Sequence, residues 1–250
     1  MTKFDKPQKG NPHQLAINQH TFPARSIARF ADASGRIQLQ MKADGSVRLA
    51  KPTDSIFCAR RLWDHAAETL FCKRIEDDFQ RLAGLVVGGL VTRFSQQMTH
   101  VISSFYALWL ARAQIREQPE QDQVMPGIWP DEARTKDQEE RLEKNGYAFS
   151  RGNVFPARMI NGAAIRTLVG RHLRQINPTA DWGMIHASGG EFVVPDWPFD
   201  HAFVPVSPTL ALVNNSAHQR LDRAAMGLLN EQLRRASRRY FFARNFASCP

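Results

Sequence analysis

Apolar residues recur along this chain at two spacings, and each spacing predicts one kind of element. Between residues 36 and 50, apolar and polar residues alternate around Asp44-Gly45, which predicts a β-hairpin. The apolar residues from 59 to 82 and from 90 to 116 recur at helical spacing. These two segments are therefore predicted to be helices, and they are apolar enough to form the core.

The second half of the chain predicts two further helices and a late β-unit. Residues 156–176 begin with a proline at the first helical turn, and residues 218–244 carry an apolar stripe at helical spacing. Between them, the β-rich runs at 181–187 and 191–195 flank Ser188-Gly189-Gly190, which predicts a second hairpin, and a further strand follows. The expected class is α+β: a mainly helical body, an early hairpin, a small late antiparallel sheet and a closing basic helix.

Charge is unevenly distributed along the chain. The net charge is +9, yet residues 117–143 hold nine acidic against three basic residues, a net of −6, so the remainder carries +15. We interpret residues 1–14 as a polar arm and 15–250 as a single domain with an acidic surface insertion at about 117–153. Part of this insertion is predicted to form a solvated helix capped near Gly146.

Composition excludes several classes of protein. With 43% hydrophobic and 23% charged residues, the chain is typical of an ordinary globular protein, and no apolar run is long enough to span a bilayer. The three cysteines form no Cys-x-x-Cys spacing, so neither a disulfide framework nor a zinc site is indicated. We expect a cytoplasmic protein with no cofactor and no membrane partner, and nothing indicates a divalent metal such as Mg²⁺.

The excess of arginine points to a polyanion as the partner. Arginine donates two parallel hydrogen bonds to phosphate, and adjacent aromatic residues can stack on bases. The predicted nucleic-acid-binding residues are Arg25, Arg29, Arg234, Arg235, Arg238, Arg239 and Tyr240. The arginines of the closing helix could instead contact the acidic 117–143 segment, and the residues alone leave these two interpretations open.

Three residues are candidates for acid–base chemistry. His13 and His20 place two imidazoles near basic residues, and Asp196 follows a predicted strand that would hold it rigidly. Each has a structural alternative, in which the histidines hydrogen-bond backbone carbonyls and Asp196 caps the Trp197-Pro198 turn. No phosphate-binding loop, hydrolase elbow, kinase motif or dinucleotide fingerprint is present in the sequence.

Several motifs together resemble a known family. They are an opening histidine with a nearby proline, Ile27-x-x-Phe30, Glu68, Ile75-Glu76, Trp182, the runs 192–198 and 204–208, and Asn230. Over roughly residues 12–245 the chain resembles the uncharacterised bacterial family called domain of unknown function 4238. It has His-Gln-Leu where His-x-x-Pro is common, and Pro-Asp-Trp-Pro where Ser/Thr-Asp-Asn-Pro is usual. The resemblance implies no activity, but it draws attention to His13 and Asp196.

The sequence favours a cytoplasmic bacterial protein that binds RNA or DNA. In the catalytic version of this hypothesis the protein is a nuclease-like effector of toxin or phage-defence type, with His13, His20 and Asp196 as acid, base and orienter. The competing hypothesis is a non-enzymatic partner or regulatory subunit of a larger protein or nucleoprotein complex. That subunit would dock or self-associate through the acidic 117–143 segment. A small-molecule hydrolase is a third reading, but no nucleophile has a recognisable base.

Overall fold

The computed structural model describes residues 5–127, 134–176, 181–198 and 202–250, and its class is α+β, as predicted. Asn177 and Pro178, which follow the predicted helix at 156–176, lie outside the described residues, as do residues 128–133 of the acidic segment. The helices are α1 (Ala24–Ala28), α2 (Lys73–Val87), α3 (Gln96–Glu117), α4 (Lys136–Lys144), α5 (Ala157–Gln175) and α6 (Arg223–Ala236). A π-helical turn at Ala67–Cys72 leads directly into α2.

The strands form two larger and two smaller sheets. The larger sheets have the order β3–β2–β12–β8, which is antiparallel, and β11–β7–β10–β9, in which only β11 and β7 are parallel. The smaller sheets pair β1 with β4 and β5 with β6. The strand bounds are β1 Asn18–His20, β2 Ile37–Met41, β3 Val47–Ala50, β4 Cys58–Arg60, β5 Gln123–Val124, β6 Val154–Phe155, β7 Trp182–Ala187, β8 Val194–Pro195, β9 Phe203–Ser207, β10 Leu210–Asn214, β11 Gln219–Leu221 and β12 Tyr240–Ala243.

Helices α2 and α3 lie in the core, as the apolar spacing predicts. The Phe79 and Phe105 rings stack with centroids 3.7 Å apart. Helix α3 starts where the Ser95 hydroxyl accepts the Met98 N–H. The helix predicted at residues 59–82 begins later than expected, because residues 58–60 form a strand that pairs with β1. It ends at Val87, beyond Gly84.

The early hairpin is confirmed as β2 and β3, but the second predicted hairpin is wrong. Strand β7 pairs with β10 and β11, whereas β8 pairs with β12 in the other large sheet. The glycines between β7 and β8 serve close packing: a Cβ on Gly189 would lie 2.5 Å from the Arg223 nitrogen. The late hairpin is formed by β9 and β10 instead.

The closing helix is shorter than predicted. Helix α6 ends at Ala236, and the chain returns as β12, whose residues pair with β2 from Gln38 to Met41. The Asp196 carboxylate accepts the backbone N–H groups of Arg238 (2.8 Å) and Arg239 (2.9 Å), which fixes the turn between α6 and β12. Long-range strand pairing therefore overrides the helical spacing in this segment.

The predicted solvated acidic helix forms as α4, but only one of its faces is exposed to solvent. Its Glu139, Glu140 and Glu143 side chains are buried against the body of the protein. In the parts of the chain that the structure describes, no helix is both long enough and apolar enough to cross a bilayer.

Candidate anion-binding cavity

A cavity of about 1290 Å³ opens where six parts of the chain meet. They are the N-terminal arm, Arg48 on β3, the segment from Asp54 to Leu62, the end of α3 with the residues after it, Arg151 with the start of α5, and the turn before β12. Its charged lining is dominated by cations, with seven arginines and one lysine against three aspartates. These residues are Lys6, Arg48, Arg60, Arg61, Arg116, Arg151, Arg158, Arg239, Asp5, Asp54 and Asp122.

Hydrogen bonds fix both ends of the cavity wall from Asp54 to Leu62. The Asp54 carboxylate accepts the Ile56 N–H at 3.0 Å and so caps a short 3₁₀ turn at Ser55–Phe57. The buried Gln19 side chain then accepts the Leu62 N–H (2.7 Å), and it binds both backbone groups of Trp63. Between these anchors Arg61 adopts a left-handed backbone conformation with φ of 45°, which few non-glycine residues adopt.

Arg61 and Arg158 form the buried base of the cavity. Arg61 Nη2 (2.6 Å) and Arg158 Nε (2.8 Å) both donate to Oε2 of Glu143 on α4. The guanidinium of Arg151 makes a bidentate pair with Glu139 on the same helix. The acids of α4 therefore neutralise cations inside the protein, because a buried guanidinium without a carboxylate partner would be very costly.

Arg116 and Arg239 differ from the other lining arginines for which ion pairs are resolved. Arg116 donates to the Ile56 carbonyl at 2.8 Å and to the Thr21 hydroxyl at 3.3 Å. Among the described residues, no carboxylate lies within salt-bridge distance of the Arg116 or Arg239 guanidinium. Their charges are therefore available to a ligand in the cavity.

Two predicted site residues, Asp196 and Tyr240, lie near the Arg116 guanidinium. Burial raises the pKa of the Asp196 carboxyl, although the N–H groups of Arg238 and Arg239 and the nearby Arg116 charge act in the opposite direction. Burial likewise raises the pKa of Tyr240 to about 12, against the effect of Arg116. Tyr240 is fully packed in β12, so the prediction that its ring stacks on bases is wrong.

The predicted catalytic residues do not form one constellation. His13 Nε2 lies 2.7 Å from Asp137 at the start of α4 and is not part of the cavity lining. Asp196 uses both carboxylate oxygens on backbone donors. His20 lies beside the cavity wall, with Nε2 3.2 Å from the Pro52 carbonyl and both ring nitrogens 3.6 Å from the Cys58 sulfur.

The His20–Cys58 pair is not arranged as an activated nucleophile. Burial lowers the pKa of His20, while the Pro52 carbonyl and Glu68 act in the opposite direction. Burial raises the pKa of the Cys58 thiol to about 11, so the thiol stays protonated near neutral pH. The described residues include no group of three or more His, Cys, Asp or Glu side chains that could hold a metal ion.

Apart from Arg239, the predicted phosphate-binding arginines lie outside the large cavity. Arg25 faces Asp77 on α2 at 3.7 Å, and Arg29 donates to the Gln80 carbonyl, where burial and the Arg25 charge lower its pKa to about 10. Arg234 donates to the carbonyls of the last two residues, and Arg235 pairs with Glu231 on α6. Only Arg239 of the predicted set lines the large cavity.

Arg238 lies at a smaller neighbouring cavity of about 670 Å³ between the end of α3 and α5. Its guanidinium carbon is 3.3 Å from the ring centroid of Trp197, and its Nη1 is 3.7 Å from Glu117. The Arg238–Glu117 contact joins an arginine that follows α6 to the acidic 117–143 segment, which is one of the two interpretations that the sequence allows. The two cavities share no lining residue, but both are lined by residues of the segment from Arg116 to Asp122, and the neighbours Arg238 and Arg239 line one cavity each.

Sequence reasoning missed six of the seven cavity arginines. They occur singly or as the pair Arg60-Arg61, so no local cluster marks them. One signal was available for His20: the His-x-x-Pro spacing, sought at His13, is present at His20 and Pro23. In the structure this spacing places the imidazole on β1 beside the cavity and the proline at the start of α1.

No family model matches the chain, no curated protein matches it and no solved structure matches it. The resemblance to domain of unknown function 4238 remains a prediction from the motifs.

Proposed function

We propose that this protein binds single-stranded nucleic acid in the arginine-lined cavity. The observation that supports the proposal is the convergence of seven arginines on one concave surface, two of them with no carboxylate partner in the described part of the chain. Concave cationic surfaces concentrate the electrostatic field and attract phosphates. Binding to phosphates releases counterions and requires no particular base sequence.

A single strand suits the cavity better than a duplex. A cavity of about 1290 Å³ is too small to admit a double helix, whereas it can hold a few nucleotides of an extended strand. Proteins that bind single strands combine a basic groove with stacking platforms. The Arg238 guanidinium on Trp197 is such a platform, and it lines the smaller cavity, next in sequence to Arg239 of the large one.

Binding without cleavage is what the geometry favours. The side chains proposed as acid and orienter, His13 and Asp196, are engaged in contacts that hold the arm and the α6–β12 turn. The docking alternative also loses support, because the described acids at the end of α4 face arginines inside the protein. Both interpretations therefore rank below strand binding.

The first prediction concerns the cations without a carboxylate partner. Arg116→Gln and Arg239→Gln are each expected to weaken binding of a fluorescent 15-nucleotide RNA or DNA strand about tenfold, since a charged hydrogen bond contributes about 1.5–3 kcal/mol. Each should also reduce the slope of log affinity against log salt by about 0.7, the value for one single-strand phosphate contact. Fluorescence anisotropy across a salt series measures both quantities.

Arg235→Gln is the matched control, because Arg235 is exposed on α6 and lies outside the cavity. It removes the same charge and should change affinity less than twofold. If Arg235→Gln weakened binding as much as Arg239→Gln, the strand would follow general surface charge, and the proposed site would be incorrect. Thermal melting of each variant confirms that the fold is intact.

A further inference from the structure

The N-terminal arm, of which residues 5–14 are described, places Asp5 and Lys6 in the lining of the cavity and is held mainly by polar contacts. The Gln8 N–H donates to Glu140 Oε1 at 2.7 Å, and His13 pairs with Asp137. Arg61 Nη1 donates to the Asp5 carbonyl at 2.8 Å. None of the residues from 5 to 14 is buried, so the attachment of the arm depends on these polar contacts, and the first buried apolar side chain after it is Leu15.

Asp5 carries the densest set of these contacts. Its carboxylate accepts from Lys136 Nζ (2.8 Å) and Arg151 Nη2 (2.8 Å), and it also pairs with Arg158 Nη1. Burial acts to raise the pKa of Asp5, but these cations outweigh burial and hold the pKa well below its usual range. One carboxylate thus receives three cationic donors, the arrangement by which proteins bind a phosphate group.

The arginines beneath Asp5 have more donors than a carboxylate can satisfy. Arg61 and Arg158 are 3% and 4% exposed, and Arg61 Nε and Arg158 Nη2 have no hydrogen-bond partner. Buried donors are rarely left without a partner unless a ligand or water supplies it. A phosphate carries more acceptor oxygens than a carboxylate, and an adjoining sugar hydroxyl could donate to the unpartnered Oε1 of Glu143.

We propose that Arg61, Arg151, Arg158 and Lys136 form a phosphate subsite that Asp5 occupies in the unliganded protein. The inference rests on the proposed function, because it assigns one phosphate of the bound strand to this end of the cavity. The nucleic-acid strand displaces the Asp5 carboxylate, and the arm leaves the cavity. The arm therefore acts as an intramolecular competitor that lowers the apparent affinity of the cavity.

Neutralising Asp5 tests the competition. Asp5→Asn is expected to tighten binding of the 15-nucleotide strand about tenfold, since the competing charge is removed while the four cations remain. The matched control is Asp122→Asn, which neutralises another cavity aspartate and retains the Oδ1 acceptor of the Ala157 N–H. The control should tighten binding less than threefold. Equal affinities of Asp5→Asn and the wild type would overturn the inference.

Hydrogen exchange on the wild-type protein provides a second test that requires no variant. At saturating oligonucleotide, the Gln8 amide of the arm, which donates to Glu140, should exchange faster than in the free protein. Unchanged or slower exchange would contradict displacement of the arm.

The two proposals can fail separately. If the wild type binds the strand through Arg116 and Arg239 but Asp5→Asn has no effect, only the subsite is wrong. If no strand binds to either protein, inorganic pyrophosphate is the remaining probe. Binding of pyrophosphate by Asp5→Asn and not by the wild type would support the subsite and exclude the nucleic acid, whereas no binding would overturn both.

Discussion

Replacing Arg112 with methionine is expected to lower the free energy of unfolding by about 3–5 kcal/mol, because it removes a buried cation and leaves two partly buried carboxylates without a partner. Arg112 on α3 is almost completely buried and donates to Glu68 Oε2 at 2.8 Å and to Glu76. Glu68 also accepts the indole N–H of Trp63 at 2.7 Å. The arginine thus joins α3 to the π-helical turn and α2. Urea unfolding followed by circular dichroism measures the loss.

The stability that Arg112→Met loses should be larger at neutral pH than in acid, because the Glu68 and Glu76 carboxyls are charged at neutral pH. Burial already raises the pKa of Glu76, and without Arg112 the folded-state pKa rises further above the unfolded value. The penalty is therefore full at neutral pH and shrinks as pH falls through the folded-state pKa, because protonation removes the buried charge. Arg81→Met, at an exposed i,i+3 pair with Asp78, is the control and should cost less than about 1 kcal/mol. A loss as small as that of the control would refute the role of Arg112.

Glu143→Gln is expected to have a comparable effect, again about 3–5 kcal/mol, since two buried arginines lose their shared carboxylate. Arg61 and Arg158 both donate to Glu143 Oε2, and all three side chains are almost completely buried. The change has nearly the same volume, so the loss reports charge rather than packing. Glu231→Gln, at an exposed pair on α6, is the control.

The same substitution separates folding from binding. Glu143→Gln leaves the cavity with one more positive charge, so the fraction that remains folded should bind the oligonucleotide at least as tightly as the wild type. A variant that kept full stability would show that Glu143 does not compensate the two buried arginines. Unfolding by urea and anisotropy titration on the same preparation give both quantities.

Local signals explain which elements the sequence predicts correctly. The Asp44-Gly45 turn lies between its two strands, and Pro156 stands at the start of α5, so nearby residues determine both features. Strand β12 was missed because its partner β2 lies about 200 residues earlier. No helical or alternating pattern within residues 237–244 reports a pairing at that separation.

The cavity could not be predicted for a similar reason. Its arginines come from segments between Arg48 and Arg239 that only the folded chain brings together. The basic run 234–239 is conspicuous in the sequence, yet Arg234 caps the C-terminal carbonyls and Arg235 pairs within its own helix. The acids of α4 appeared to be a solvated surface, because the arginines that bury them are not their sequence neighbours. The charge composition therefore predicts a polyanion as the partner, but it does not indicate which residues form the cavity.

Crosslinking tests the central claim most directly. A 15-nucleotide strand carrying 4-thiouridine is irradiated with the wild-type protein, and the crosslinked peptides are identified by mass spectrometry. The account predicts crosslinks in residues 54–62, 116–122 and 157–161, which line the cavity. Crosslinks confined to residues 223–236 of α6, or none at a concentration that saturates binding, would contradict it.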